Sequence, residues 1–355
     1  MILQIRLHIK SGNMDELYLS RKLKVLSFLL TLAVIEIHSY FIESEGSNIS
    51  GHVQPVINYL CGVAVPFFFC ISGFLFFYKL TSKEHIVDKI CRRAQTLLVP
   101  YLTWNIIYFA FYLCLLIIPS VENIINNNLA NEILKNELPD AIEGLFWEPF
   151  ACHLWYVRDL MLFVLLTPLV YKYIRKIPLL LLLVFTIFIP LTGINQSEML
   201  GYFLIGAKLA CEDVDLHKRN PRSIVYLALL IFVMMGIFPI NNMSFREIAM
   251  LLGIFSFWYL YDYIFVVFNK LLKPLSERTI MNDFLGCTFF VYCSHGIFLN
   301  IIKKAEILFL GCSDFALLFT YLLNPILCYS ICFLISKLIN STFPRFYLII
   351  SGNRI

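Results

Sequence analysis

The sequence predicts an all-α protein, a polytopic transmembrane helical bundle of about ten spans with both termini in the cytoplasm. Hydrophobic residues make up 59% of the 355 residues and charged residues only 15%, and the mean hydropathy is +0.77. A single soluble core cannot bury so much apolar surface, so a bilayer must serve as the solvent. We expect residues 1–355 to form one integral-membrane domain.

The individual spans follow from the lengths of the apolar runs. A hydrocarbon core about 30 Å thick requires about 20 mostly apolar residues in each helix. The runs that meet this requirement, some of them loosely, are Leu23–Phe41, Pro55–Tyr78, Leu97–Ile118, Leu154–Tyr171, Leu179–Leu191, Met199–Cys211, Ile224–Ile240, Ile248–Phe268, Phe284–Ile302 and Phe315–Leu338. The sixth run is short and the fourth and fifth nearly merge, which leaves the count open by about one or two.

The charges of the linkers predict how the bundle is oriented, because Lys and Arg near the end of a span favour the cytoplasm. Basic and acidic linkers alternate, starting with Arg21–Lys24, Glu43–Glu45, Lys79–Arg93 and Glu122–Glu148. We therefore expect a cytoplasmic segment at 1–22 and an extracytoplasmic loop at 119–153, although Lys303 and Lys304 fall on a predicted outer loop. The net charge of +4 follows from this asymmetry, and we expect no nucleic-acid partner.

Several enzyme classes are excluded by their missing motifs. The sequence contains no G-x-x-x-x-G-K-[ST], no dinucleotide-binding glycine fingerprint after a strand and no H-E-x-x-H, which counts against ATP-driven and zinc-hydrolytic classes. No two of the eleven cysteines form C-x-x-C, and most lie in spans, so we expect packing roles and no metal site. Cys152 and Cys312 are both predicted outside, where the sequence leaves a disulfide open.

Three costly ionisable side chains fall in the predicted outer half of the bundle: His38, Arg158 and His295. An ionisable residue within a bilayer is a functional-site candidate, and a neutral imidazole can accept a proton from an alcohol near neutral pH. Interfacial histidines that only hydrogen-bond a neighbouring helix are the alternative. Arg158, beside Asp159, needs a charge partner or a water-filled cavity. Glu36 faces away from His38 on the same helix, so we expect it to pair with a cation on another span.

Lys89, Arg92 and Arg93 precede the third span on the predicted cytoplasmic side. Basic residues are expected there from topology alone. They could also hold the phosphates of a nucleotide-containing donor such as coenzyme A through charge-assisted hydrogen bonds. The sequence leaves both interpretations open.

Two further motifs favour structural roles. His153 with Trp155 and Tyr156 is typical of an aromatic belt at the membrane surface. Ser72-Gly73, in the middle of the second span, is typical of a close approach between helices. A nucleophilic Ser72 has no support, because no G-x-S-x-G elbow surrounds it.

The ordered set of segments resembles the acyltransferase-3 family of polytopic membrane proteins. The matching segments are Leu26–His38, Val65–Phe74, Arg93–Trp104, His153–Arg158, Tyr202–Gly206 and Ser294–Gly296. Their order and spacing across nearly the whole chain carry the resemblance.

The resemblance implies an enzyme that moves an acyl group, often acetyl from acetyl-CoA, onto a hydroxyl of an extracytoplasmic or lipid-linked glycan. Acyl-CoA would be the donor substrate, with no permanently bound cofactor, and the protein would lie in a bacterial inner membrane. His38 resembles the essential histidine of the family, and Arg93 resembles the basic residue before its proline. Ser27 and Thr96 depart from the family pattern, which often has a basic residue at both positions.

A transfer mechanism follows from this resemblance. From Leu23 to His38 the helix rises roughly 22 Å, so a thioester arm that extends from a cytoplasmic nucleotide could approach His38. We expect His38 to be the general base, with Arg158 or His295 stabilising the oxyanion or orienting the acceptor. Acylation of His38 itself is a variant that the sequence leaves open.

The competing hypothesis is a transporter or flippase of glycan or lipid precursors without covalent chemistry. It predicts repeats and broken helices in matching positions of the two halves. No convincing repeat is found, although Thr167-Pro168 and Asn324-Pro325 could kink their spans.

Overall fold

The structure, a computed structural model, describes residues 14–40, 49–80, 84–117, 146–194, 196–212, 221–238, 242–276 and 279–353. Every regular element in these ranges is helical, which confirms the predicted all-α class. The helices are α1 (Met14–His38), α2 (Gln54–Cys61), α3 (Ala64–Phe77), α4 (Glu84–Arg93), α5 (Val99–Ile117), α6 (Trp155–Leu165), α7 (Thr167–Tyr173), α8 (Leu179–Phe188), α9 (Glu198–Cys211), α10 (Arg222–Ile237), α11 (Met243–Ser276), α12 (Thr279–Gly286), α13 (Thr288–Leu310), α14 (Asp314–Thr342) and α15 (Pro344–Ser351). Short helical turns lie at Ile49–Val53, Ala94–Leu98, Cys152–Leu154 and Ile189–Thr192.

Four helical segments in the described ranges are long and apolar enough to cross a membrane, as expected of an integral membrane protein. They are Gly51–Phe77, His85–Cys114, Met243–Ile264 and Asp314–Thr342. The pair α6 and α7, which meet at a bend of 55°, makes a fifth if it counts as one span. α8 and α10 are apolar but shorter. The predicted number of about ten spans is therefore not confirmed, and the cytoplasmic placement of the termini stays a prediction.

The start of α1 differs from the sequence prediction. α1 begins at Met14, inside the expected cytoplasmic segment 1–22. Lys22, expected in a linker, is buried. Its ammonium lies 2.8 and 2.9 Å from the two carboxylate oxygens of Asp262 and 4.0 Å from the ring centroid of Trp258. Lys22 thus links the start of α1 to α11. This contact accounts for a lysine at this position without the predicted orientation of the bundle.

Two segments that were predicted to be outer loops also differ from the prediction. α13 continues past Ile302 to Leu310, so Lys303 and Lys304 lie on a helix and not in a loop. Of the predicted loop 119–153, residues 119–145 lie outside the described residues. Its last residues contribute to the turn Cys152–Leu154 before α6.

A close crossing of α3 and α9 lies at the centre of the bundle. A Cβ atom on Gly73 would overlap the backbone carbonyl of Phe203, and one on Gly206 would overlap the carbonyl of Cys70. The two backbones reach this distance only because neither glycine places a side chain between them. The structural interpretation of the Ser72-Gly73 step is confirmed.

α1 packs against α13 and α14 beside this crossing. The ring of Phe28 in α1 meets Tyr329 of α14 edge-on, with centroids 4.8 Å apart. The hydroxyl of Ser27 donates to the carbonyl of Leu23 at 2.6 Å, so the polar group at this family position is satisfied within α1. The packing brings the end of α1, at His38, against α13.

The buried cysteines take packing roles, whereas Cys91, Cys114, Cys152 and Cys312 are exposed. Cys328 and Cys332 lie fully buried on one side of α14, as expected for small apolar side chains. All eleven cysteines are free, so the disulfide between Cys152 and Cys312 that the sequence left open is not formed.

Candidate active site

Three imidazole rings from distant parts of the chain meet beside the end of α1. His38 is the last residue of α1, His153 lies in the turn before α6, and His295 lies within α13. The ring centroids are 4.3 Å apart for His153 and His295, 5.5 Å for His38 and His295, and 6.3 Å for His38 and His153. We call these residues the histidine cluster. Two of the predicted catalytic residues, His38 and His295, are therefore neighbours, and His153 joins them.

Contacts from α5 and α13 hold His153 in position. The hydroxyl of Tyr292 donates to the backbone carbonyl of His153. A Cβ atom on Gly296 would lie 2.8 Å from the hydroxyl oxygen of Tyr108 and 3.1 Å from Cε1 of His153. Glycine directly after His295 therefore leaves the space in which Tyr108 and His153 pack against α13.

Backbone carbonyls fix the hydrogen positions on the two buried rings. Nδ1 of His295 lies 2.7 Å from the carbonyl oxygen of Tyr292, and Nε2 of His153 lies 3.2 Å from that of Cys293. Because a carbonyl oxygen only accepts, these nitrogens carry the hydrogens, and the second nitrogen of each neutral ring is an acceptor. His295 is 1% exposed, and its Nε2 has no hydrogen-bond partner in the described ranges. An unused acceptor thus lies beside His38.

His38 is the most accessible ring of the histidine cluster. It is partly exposed, and its backbone carbonyl accepts a hydrogen bond from Lys303 at 3.3 Å. Lys303 also donates to the carbonyl of Tyr40 at 3.0 Å. A cation at a helix C-terminus is favourable, so Lys303 fixes the end of α1 against α13. Within the described part of the chain, no hydrogen bond to a ring nitrogen of His38 is found.

Arg158, the third predicted catalytic residue, lies in α6 apart from the histidine cluster. Its Nε donates to Asp159 at 2.7 Å and a terminal nitrogen donates to the carbonyl of Trp147 at 2.5 Å. The guanidinium carbon lies 5.3 Å from the Trp147 ring centroid. These contacts supply the charge partner that the sequence analysis required. Because no contact within the described residues joins Arg158 to the cluster, its role in transfer stays a prediction.

The three predicted donor-binding residues have different surroundings. The ammonium of Lys89 donates to the carbonyls of Phe76 at 2.7 Å and Tyr78 at 3.0 Å, which satisfies carbonyls at the end of α3 that lack helical partners. Arg92 is exposed and Arg93 is buried. The ammonium of Lys89 is therefore engaged at the end of α3, Arg92 is the most accessible of the three, and donor binding by these residues stays a prediction.

A run of polar side chains extends from Arg93 to the histidine cluster. Arg93 lies close enough to Tyr156 for the two to interact electrostatically. The hydroxyl oxygen of Tyr156 is 3.1 Å from Oγ of Ser72, and its ring centroid is 5.9 Å from that of Tyr292. Tyr292 in turn bonds the backbone of His153. The predicted donor-binding end and the cluster are thus connected through the interior.

Glu36 differs from its prediction. It is 6% exposed, and neither carboxylate oxygen has a hydrogen-bond partner among the described residues. Its electrostatic neighbours are Cys61 of α2 and Tyr321 of α14. The expected ion pair with a cation is not found in the described part of the chain.

The position of His153 and its aromatic neighbours beside the other two histidines was not predicted from the sequence. The belt interpretation does not hold for His153, which is buried with ring centroids 5.5 Å from Tyr108 and 5.7 Å from Tyr292. The available signal was the position of His153 at the same end of its predicted span as His38. Nothing in the sequence separates Tyr108 and Tyr292 from the other members of a set of 19 tyrosines.

A family model described as an acyltransferase domain matches residues 22–340. The match covers most of the chain and includes the whole histidine cluster. It confirms the resemblance drawn from the ordered motifs. No curated protein and no solved structure matches the chain.

Proposed function

Because the chain belongs to the acyltransferase-3 family, we propose that this membrane acyltransferase moves acetyl from acetyl-CoA to a hydroxyl of an extracytoplasmic or lipid-linked glycan, in a bacterial inner membrane. The observation that supports the proposal best is the histidine cluster. It combines one accessible imidazole, His38, with two buried imidazoles, His153 and His295, and Nε2 of His295 is an acceptor without a partner in the described ranges. A general base needs an accessible, unprotonated nitrogen next to the incoming alcohol, and a neighbouring acceptor once it carries the proton.

His38 acts as the general base of the reaction. Its unprotonated nitrogen takes the proton of the acceptor hydroxyl while the hydroxyl oxygen attacks the carbonyl carbon of the thioester. The tetrahedral intermediate collapses, the C–S bond breaks, and the departing thiolate takes the proton from His38. The products are the ester and the free thiol of coenzyme A, and His38 returns to its starting state.

His295 stabilises the protonated form of His38. An imidazolium in a poorly hydrated site needs a hydrogen-bond acceptor, because an unpaired buried charge is costly. Nε2 of His295 offers an acceptor in the neighbouring ring, and the Tyr292 carbonyl keeps its hydrogen on Nδ1. His153, fixed by the Cys293 carbonyl, closes the other side of the cluster.

The two substrates approach from opposite ends of α1. The nucleotide of the donor binds on the cytoplasmic side, where Arg92 and Arg93 contact its phosphates. The thioester arm extends along the run of polar side chains past Tyr156, over a rise of roughly 22 Å from Leu23 to His38. The acceptor enters at the His38 end. This separation lets a cytoplasmic donor serve an acceptor on the other side.

Transfer is tested with purified protein in lipid vesicles, acetyl-CoA labelled in its acetyl group and a crude lipid-linked glycan fraction. We expect thiol release and a mass increase of one acetyl group on the glycan. His38→Ala should insert normally and lower the rate per folded molecule by roughly 10² to 10⁴, the usual cost of a lost general base. His52→Ala, which removes an exposed histidine, is the matched control.

Two results would count against the proposal. Movement of glycan across the vesicle membrane without thiol release would favour the transporter alternative. A His38→Ala protein that keeps more than about a tenth of the wild-type rate would remove His38 from the role of general base.

A further inference from the structure

The end of α1, which carries His38, leaves backbone carbonyls that helical hydrogen bonds do not satisfy. α1 ends at His38, and the last four carbonyls of an α-helix have no partner within the helix. The hydroxyl of Ser39, which is fully buried, donates back to the carbonyl of Ile35 at 2.8 Å. The Ser39 amide donates to the Glu36 carbonyl at 2.9 Å. The carbonyls of His38 and Tyr40 need a donor from outside α1.

Lys303 of α13 is that donor. Its ammonium donates to the carbonyl of Tyr40 at 3.0 Å and to that of His38 at 3.3 Å, and it lies 5.1 Å from the centroid of the Tyr40 ring. The dipole of α1 also favours a cation at this end. One ammonium therefore bonds the backbone on both sides of Ser39, directly at the residue that carries the His38 imidazole.

The same helix also contacts the ring of His38. His295 lies about two helical turns before Lys303 in α13, and its ring centroid is 5.5 Å from that of His38. A contact at the ring alone leaves the backbone of His38 free to shift. The two bonds from Lys303 restrain that backbone, so α13 fixes His38 at both its ring and its main chain.

The place of Lys303 in the sequence is unusual for a lysine. It follows the outer end of the ninth predicted span, whereas Lys and Arg near the end of a span favour the cytoplasm. The predicted topology therefore gives no reason for a lysine at this position. The bonds to the end of α1 supply one.

We propose that Lys303 is a positioning residue for His38, which it holds where the imidazole reaches the acceptor hydroxyl. The inference deepens the proposed function and rests on it for the role of His38 as general base. A displacement of about 1 Å at a reacting group can lower a rate by about 10²-fold. Because the proposed donor nucleotide binds at the opposite end of α1, loss of Lys303 acts on kcat and not on the KM for acetyl-CoA.

The role is tested with three variants of the full chain in lipid nanodiscs. Lys303→Met removes the ammonium and keeps an apolar side chain of similar length. Lys303→Arg keeps a positively charged donor. Lys304→Met removes the same charge from the next residue, which is exposed, and is the matched control. The measurements are kcat and KM for acetyl transfer, and hydrogen exchange of the amides at the end of α1, which requires no catalysis.

We expect Lys303→Met to lower kcat by about 10- to 100-fold with an unchanged KM for acetyl-CoA. Exchange of the His38 and Ser39 amides should become about tenfold faster, since the end of α1 opens more often without its two bonds. Lys303→Arg should recover most of both losses, and Lys304→Met should behave as the wild-type protein.

A kcat of Lys303→Met near the wild-type value would overturn the positioning role, whatever happens to exchange. Equal losses of kcat in Lys303→Met and Lys304→Met would also overturn it, because the effect would then come from lost surface charge. A wild-type protein that transfers no acetyl group would refute the proposed function. Faster exchange in Lys303→Met alone would still show, in that case, that Lys303 holds the end of α1.

Discussion

The ring of His295 lies 5.5 Å, centroid to centroid, from the ring of His38, and its Nε2 is an acceptor without a partner in the described structure. The other nitrogen, Nδ1, donates to the Tyr292 carbonyl at 2.7 Å. This hydrogen bond fixes the orientation of the ring and keeps the hydrogen on Nδ1. With Nδ1 donating to Tyr292, Nε2 of His295 is left as an acceptor on the side of His38. In the proposed reaction, this relationship makes His295 a positioning residue for His38.

The first prediction separates this role from simple packing. His295→Ala should lower the transfer rate by roughly 10- to 100-fold, since a hydrogen bond to a charged group contributes about 1.5–3 kcal/mol. His295→Gln, whose amide reaches the position of Nε2, should recover most of that loss. The measurement is the rate per folded molecule at saturating substrates. Equal rates for the two variants would mean that His295 only fills space.

The second prediction concerns the donor. Arg92→Gln should raise the KM for acetyl-CoA several-fold with little change in kcat, because Arg92 is exposed and contacts phosphates in the proposal. Lys172→Gln, which removes an exposed lysine, is the control for lost surface charge. If both substitutions change the KM for acetyl-CoA equally, Arg92 does not bind the donor. Its charge would then serve only the orientation of the bundle in the membrane.

The third prediction tests the helix crossing. Gly73→Ala and Gly206→Ala each place a methyl group inside a backbone carbonyl of the facing helix. We expect a large loss of folded protein from both, measured by thermal unfolding in detergent. Gly51→Ala, where a Cβ meets nothing within 4 Å, should leave stability nearly unchanged. Normal yields of the Gly73 variant would show that α3 and α9 lie farther apart.

The fourth prediction concerns the buried ion pair of Lys22 and Asp262. Removing one partner leaves an uncompensated charge, so Lys22→Met or Asp262→Leu alone should destabilise the protein by about 3–5 kcal/mol. The double variant should recover much of this loss, because it leaves no buried charge. Unfolding midpoints of the four proteins give the interaction energy. Additive losses would indicate that the two residues act independently.

The fold class could be predicted from the sequence because apolar surface and helical span length are properties of single segments. The number of spans could not, because it depends on how segments join. α6 and α7 form one apolar run in the sequence but bend by 55° at their junction. Lys22 carries the same charge in a linker or in a buried pair with Asp262, and only tertiary packing distinguishes the two.

The candidate site was predictable in part for the same reason. His38 and His295 are identified singly, since each is an ionisable residue in an apolar segment. Their proximity, and the position of His153 beside His295, depend on how α1, α6 and α13 pack. Arg158 has the same local signal as the histidines, but its contacts run to Asp159 and Trp147. An ionisable residue in an apolar segment is therefore a candidate site residue, but the sequence does not tell which residues it contacts.

The crossing of Gly73 and Gly206 also has a consequence for how substrates enter. Backbones that pack this closely have little free space between them, so a relative shift of α3 and α9 that keeps them in contact meets a facing carbonyl. α3 and α9 are thus a stationary frame. α1, α13 and α14 meet through side chains, which can change rotamer, and in the described residues Lys303 bonds the end of α1. In the proposed reaction, these three helices can therefore adjust to a donor and an acceptor at His38 more easily than α3 and α9 can.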